Sequence, residues 1–239
     1  MRLTTEDRLF VLTGAGISAE SGLATFRGSG GLWNGHRVED VATPEAWQAD
    51  PAFVWRFYSA RRRNALGAQP NAGHVALARM EYELAKDDPA RFFLCTQNVD
   101  DLHEQAGSRR IHHMHGSLFE SRCVQCEKPF ADRELYEAEP LPRCRECGAM
   151  VRPHIVWFGE MPIDMEGIYQ ELERATTLLV VGTSGSVYPA AGLVHIARQQ
   201  GICTIYVGPE KPSNAASFDQ IVSGTATQTL PGLFEMETR

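Results

Sequence analysis

The sequence predicts an α/β fold, a Rossmann-like doubly wound parallel sheet with a smaller domain inserted into it. Three observations predict it. Four short, continuously apolar runs recur along the chain, each ending in a Gly-rich or polar turn. Helical patterns separate these runs. Two further segments break the alternation, one aromatic and Arg-rich, the other carrying four of the six cysteines. Strands that are apolar on both faces and alternate with helices belong to a parallel sheet covered on both sides.

The first run, Leu9–Leu12, leads into "TGAGISAESG", which reads as a buried strand, a Gly-rich turn and a helix start. "NAGHVALARMEYELAK" is a helical pattern, and Phe92–Cys95 in "RFFLCTQNVD" is the second strand. Leu178–Val181 in "ATTLLVVGTSGS" is the third. The helical "AAGLVHIARQQG" then precedes the fourth, Cys203–Val207 in "CTIYVGPE". Ligands of such sheets bind at the carboxyl ends of the strands, which is where every one of these turns falls. The first irregular segment contains "PEAWQADPAFVWRFYSARRR" and is helical in pattern.

At 239 residues, 43% hydrophobic and 22% charged, the chain can bury a sizeable core. A net charge of -7 implies no basic face for nucleic acid. The apolar run near the N-terminus is too short for an export signal or a membrane helix, so a cytoplasmic location without membrane partners is expected. In that reducing compartment, paired cysteines read as metal ligands rather than disulfides.

Cys123, Cys126, Cys144 and Cys147 form C-x2-C-x17-C-x2-C, a zinc-ribbon spacing. Each C-x2-C turn presents two thiolates on one side, and two such turns complete a tetrahedron. Four thiolates leave no open position, so one structural zinc is expected. Cys95 and Cys203 lie in apolar strands and read as core residues. The expected organisation is a discontinuous Rossmann-like domain (1–27, 68–120 and 153–239). A helical module (28–67) and a zinc-ribbon module (121–152) would together make the small domain, with a cleft between the two domains.

Gly14, Gly16 and Ala19 match G-x-G-x-x-A after a strand, where glycines let the backbone approach a pyrophosphate at a helix start. The acidic residue usual about 20 positions on has no candidate, which argues against simple hydride transfer. Gln97, Asn98 and Asp100 stand at the end of the second strand, and His112, His113 and His115 follow. Three clustered histidines admit a second metal. No carboxylate has suitable local spacing, however, and a general base beside a nucleotide suits a group titrating near neutrality. His74, His103 and His195 read as structural.

In "FYSARRR", Tyr58 and Arg61 are three apart and share one side of a helix. Two readings stand: a solvated basic face, or a phenol and a guanidinium fork gripping a carboxylate. Arg62 and Arg63 point elsewhere and are expected in solvent.

Taken together, "GAGISAESGLATFRG", "TQNVDDLHEQAG", "MHGS", the four-cysteine pattern, "RPHIVWFGE" and "GTSGSVYPAAG" resemble the sirtuin family, in order and over about residues 9–233. The likeness is to the bacterial class III NAD-dependent protein-lysine deacylases. It implies that an acyl-lysine carbonyl oxygen attacks the nicotinamide ribose of NAD and nicotinamide leaves. His115, as base, then deprotonates a ribose hydroxyl, and water completes release of free lysine and O-acyl-ADP-ribose. The resemblance implies cofactor contacts from Gly14, Ala15, Gly16, Ile17, Ser18, Ala19, Phe26, Arg27, Gln97, Asn98, Val99, Asp100, Gly182, Thr183 and Ser184. Asn98 is also implied in catalysis.

The implied peptide site is a strand added beside Ile155–Gly159, with the lysine stem passing Val156, Trp157, Phe158 and Gly159. Tyr58 and Arg61 match the class III pair that binds a succinyl or malonyl carboxylate, and Ala42 is the small residue of a widened acyl tunnel. Desuccinylase and demalonylase activity alongside deacetylase activity is therefore expected. The chain departs from the family at Gly208, where an Asn usually bonds the adenosine ribose; Pro209, Glu210 and Ala226 are the neighbouring contacts it retains. Ala24 replaces a common Pro. Three functions remain in view: the deacylase (with or without acidic-acyl activity), a mono-ADP-ribosyltransferase sharing the NAD site, and a non-catalytic NAD-binding module.

Overall fold

A computed structural model describes residues 2–3, 6–25, 32–33, 35–233 and 235–236. Its main sheet has six parallel strands: β1 (Leu9–Thr13), β2 (Phe92–Thr96), β3 (Ile111–His113), β7 (Thr177–Val181), β8 (Cys203–Gly208) and β9 (Gln220–Ser223). A second, antiparallel sheet joins β4 (Gly116–Cys123), β5 (Pro129–Ala131) and β6 (Val151–Ile155). The main sheet runs in the order β3-β2-β1-β7-β8-β9. This is the doubly wound order, with its switch point between β1 and β7.

Alternate residues of each strand serve opposite layers. Leu9 and Val11 of β1, with Leu179 and Val181 of β7, pack against Leu77, Met80 and Leu84 of α5 (Ala72–Ala85) and Leu230 of α9 (Ala226–Leu233). Phe10, Leu12, Leu178 and Val180 face Ile168 and Leu172 of α7 (Met165–Glu173) and Leu193 and Ala197 of α8 (Leu193–Gln199). Burial on both faces explains why the strands read as unbroken apolar runs.

The inserted helices start where their caps dictate. Thr43 accepts from Ala46 N–H (3.1 Å) at the start of α3 (Pro44–Ala49). Asp50 accepts from Phe53 N–H (2.9 Å) at the start of α4 (Pro51–Gly67). Each helix carries a Pro in its first turn, where the missing N–H costs nothing. Asn71 caps α5 and its Nδ2 reaches Ile17 O (2.8 Å), tying that helix to the turn after β1.

Helix α4 and the antiparallel sheet share one core containing Trp47, Val54, Trp55, Phe57, Leu118, Phe119, Val151, Ile155 and Trp157. The antiparallel sheet begins at Gly116 and ends at Ile155, beyond both ends of the segment 121–152.

Arg62 corrects a sequence expectation. It is buried, not solvated, with 1% exposure. Its guanidinium pairs with Asp132 at 3.3 Å, donates to Ser121 Oγ at 3.0 Å, and also donates to Leu118 O and Glu134 O. It pins α4 to β4 and to the segment that follows β5. Arg63 is exposed and pairs with Glu137. Cys95 is fully buried and Cys203 half-buried. No helix among the described residues is long and apolar enough to cross a membrane.

Candidate active site

The carboxyl ends of β1, β2 and β7 face α4 and the antiparallel sheet across a cleft of about 680 Å³. Two turns form its floor. Gly14 N–H donates to Val181 O (2.9 Å) and Gly16 N–H to Gly182 O (2.8 Å). A Cβ on Gly14 would lie 2.9 Å from Gly182 O, and one on Gly16 only 2.7 Å from Gly182 Cα. Gly182 itself has φ +62°, conformation that suits glycine. These glycines therefore let the turns after β1 and β7 interlock. The N–H groups of Gly14 and Gly16 are thus bonded within the protein. Ala15, Gly16 and Ser18 still line the cleft beside Gly182, Thr183 and Ser184.

Asn98 stands at the centre. Its Nδ2 donates to Gly14 O and Ser18 Oγ, both at 3.2 Å. With both amide N–H directions used, Oδ1 is the atom left for a ligand. Ser18 passes its own proton to Asp100 (3.2 Å), which also accepts from Leu102 N–H. Burial pushes the Asp100 carboxyl above the usual carboxylate range. Gln97 lines the cleft, and its buried Nε2 has no partner among the described residues. A buried donor of this kind calls for a ligand acceptor, so the residues fit a polar cofactor such as NAD.

The three clustered histidines separate by environment. His112 Nε2 meets Ile163 O at 2.8 Å. His113 is held between Asn98 O (3.0 Å) and Glu104 Oε1 (2.7 Å). Although burial disfavours its charge, the Glu104 and Asn98 partners raise its pKa above the ordinary value. Only His115 lines the cleft. Its Nδ1 lies 3.1 Å from Gln97 O. A carbonyl can only accept, so Nδ1 carries the proton and Nε2 keeps a lone pair. Burial pulls the His115 pKa below the usual histidine value, against the Gln97 bond. His115 is thus built as a neutral proton acceptor. His74 and His103 are buried and meet edge to face, 4.9 Å between ring centroids, and burial lowers His74 to about 4; His195 is exposed on its helix.

On the side of α4, Ala42, Tyr58 and Arg61 line the same cleft. Tyr58 is fully buried, which pushes its phenol up to about 12. Burial lowers Arg61 to about 10, still protonated near neutrality, with Tyr58 and Asp100 partly offsetting the shift. Val156, Trp157, Phe158 and Gly159 form the adjoining wall. The strand ends at Ile155, however, and Val156, Trp157 and Phe158 give their N–H groups to His115 O, Glu160 Oε2 and Ala42 O.

Several expected residues lie off the cleft surface. Ile17 and Ala226 are in the core, Ala226 against α5, while Ala19 is exposed on the short helix after the turn. Phe26 and Arg27 fall outside the described residues. Val99, Pro209 and Glu210 line the cleft; Gly208 does not. A Cβ there would stand 2.3 Å from the Tyr206 hydroxyl, which donates to Thr183 O (3.1 Å). The phenol occupies the space a side chain at 208 would need. Sequence reasoning missed Tyr206, Ser186, Val187, Tyr188, Glu160 and Lys211, all of which line the cleft. "GSVYPAAG" and the cation after "VGPE" were the available signals.

The ligand sulfurs of Cys123, Cys126, Cys144 and Cys147 lie within 4.8 Å of one another, and no other such cluster occurs among the described residues. Cys123 Sγ accepts from Gln125 and Cys126 N–H groups (3.4 and 3.3 Å), as a metal-binding turn requires. The Cys126 N–H draws the Cys123 thiol down to about 7. Four soft thiolates in this arrangement fit zinc. None of the four lines the cleft.

Residues 14–189 match the Sir2 family model. A Caulobacter vibrioides protein named NAD-dependent protein deacylase is 49% identical over 230 residues, 95% of each chain. A Trypanosoma brucei brucei NAD-dependent protein deacylase is 49% identical over 92% of this chain and 91% of its own. Among solved structures, a Sir2 homolog–NAD complex superposes with TM-score 0.86 and 42% identity, covering 96% of this chain and 89% of that one. A Sir2–p53 peptide–NAD+ complex superposes with TM-score 0.81 and 29% identity, covering 94% and 91%.

Proposed function

The chain belongs to the Sir2 family, and from that premise we propose that its cleft is the active site of an NAD-dependent protein-lysine deacylase acting on acetyl and acidic acyl groups. The products are nicotinamide, O-acyl-ADP-ribose and free lysine. Bound NAD supplies the ribose carbon that takes the acyl oxygen and the hydroxyl that must then be deprotonated. The observation that carries the reading is His115, whose Nδ1 is committed to Gln97 O and whose Nε2 keeps a lone pair in the cleft. That is the geometry of a general base.

The other residues take roles their contacts support. The turns at Gly14–Ser18 and Gly182–Ser184 receive the phosphates. Asn98 Oδ1, Gln97 Nε2 and Asp100 orient the nicotinamide riboside. Val156 and Phe158 flank the methylene stem of the acyl-lysine, a use apolar walls suit. Small Ala42 leaves room for the acyl chain, and Tyr58 with Arg61 reads its carboxylate. Zinc is structural, since four cysteines fill its shell away from the cleft. The reading places the enzyme in the cytoplasm, acting on acyl-lysine proteins or peptides. A net charge of -7 is consistent with no nucleic-acid partner.

The test is stoichiometry. Incubated with NAD and an acetyl-lysine peptide, the protein is expected to release one nicotinamide per acetyl lost. Transfer of label from NAD to protein without an acyl-lysine peptide, and no acyl loss with one, would instead mark a mono-ADP-ribosyltransferase.

A further inference from the structure

Trp157 contacts the cleft beside the acyl end, but its most specific bond goes to another protein residue. Its indole Nε1 donates to the Tyr58 hydroxyl oxygen at 3.0 Å. An indole N–H can only donate, so the phenol oxygen accepts and must direct its own proton elsewhere. Among the described residues, no acceptor takes that proton. Tyr58 lines the cleft, and Arg61 follows one helical turn later on the same side.

The indole is itself held fast. Trp157 is 2% exposed. The Arg152 guanidinium lies 3.3 Å from its ring centroid, and Trp47 stands 5.9 Å away, centroid to centroid. Arg152 is fixed in turn by Glu160, at 2.8 and 2.9 Å, and by Ile155 O at 2.7 Å. Glu160 also accepts the Trp157 backbone N–H at 2.8 Å. Few rotors remain between the backbone and the indole N–H.

We propose that Trp157 is a positioning residue for acidic acyl groups: its indole N–H occupies the Tyr58 oxygen and turns the Tyr58 proton towards the ligand carboxylate beside Arg61. The proposal rests on the carboxylate-reading role given to Tyr58 and Arg61 above. An acetyl group has no distal carboxylate, so it has nothing to receive that proton. Trp157 therefore acts on the choice between acyl groups, and the quantity to read is the succinyl-to-acetyl ratio of kcat/KM. Any general loss from a disturbed wall cancels in this ratio.

The experiment is a double-mutant cycle on one peptide in both acyl forms, using Tyr58→Phe, Trp157→Phe and the double variant. Trp157→Phe is expected to lower the ratio about three- to tenfold, the worth of one oriented hydrogen bond. In the Tyr58→Phe background it is expected to lower the ratio no further, because the oxygen it orients is gone. Replacing Trp157 by its benzothiophene isostere removes only the N–H and serves if the Phe variant does not fold. If Tyr58→Phe lowers the ratio but neither change at 157 does, or if the two losses multiply, the positioning role is overturned while the carboxylate site stands. A Tyr58→Phe ratio equal to wild type would overturn both.

Discussion

Replacing His115 by Ala is expected to lower kcat/KM for NAD-dependent deacylation by about 100- to 10,000-fold, the range lost with a positioned general base. The expectation comes from the tautomer. Nδ1 is bound to Gln97 O, so the lone pair on Nε2 faces the cleft without any rearrangement. Burial lowers the pKa, so the neutral, proton-accepting form dominates at physiological pH. The sign for pH follows. Activity needs the deprotonated ring, which is lost as pH falls through the lowered pKa. The acid limb of kcat/KM against pH is therefore expected below the ordinary histidine value of about 6.5. His113 would behave oppositely, since its Glu104 partner holds the charged form. A limb above that value, or substantial turnover by His115→Ala, would remove His115 from the mechanism.

Replacing Arg62 by Ala is expected to destabilise the fold by about 3–5 kcal/mol, the cost of breaking a buried ion pair from one side. At this chain length that corresponds to a fall in Tm of roughly 6–20 °C. Asp132 would be left buried without its cation, and the carbonyls of Leu118 and Glu134 and the Ser121 hydroxyl would each lose a donor. Arg63→Ala serves as the control. Its pair with Glu137 is about half exposed on both sides, so a change within roughly 0.5 kcal/mol is expected. Thermal melts of the two variants side by side decide it. Equal shifts would mean that Arg62 does not hold α4 to the antiparallel sheet.

The contrast between these neighbouring arginines marks where the sequence was legible. The parallel sheet was readable because its strands are buried on both faces and so carry unbroken apolar runs, as Leu178–Val181 does. The cysteine pairs were readable because metal geometry dictates their spacing. Arg62 was not, because its partners lie 56 to 72 positions away in the chain and an Arg in a basic run looks solvated. Gly14 and Gly16 were readable as a close approach of backbone, but not that Gly182, across the sheet's switch point, is one backbone they approach. Gly208 looked like a loss until Tyr206 was seen to occupy its space. In each case the deciding contact is tertiary, and local pattern carries no record of it.

The acyl specificity proposed above rests on Tyr58 and Arg61, which line the cleft one helical turn apart. A guanidinium and a protonated phenol in one wall of the cleft present donors that match a carboxylate. A ligand carboxylate reached by both is worth on the order of 2–4 kcal/mol, or about 30- to 1000-fold. The most direct measurement is kcat/KM of wild type and Arg61→Met on one peptide in acetyl-lysine and succinyl-lysine forms with saturating NAD. The succinyl-to-acetyl ratio is expected to fall by about 30- to 1000-fold in the variant. An unchanged ratio would contradict the account and leave Arg61 as part of a charged helix face in a plain deacetylase.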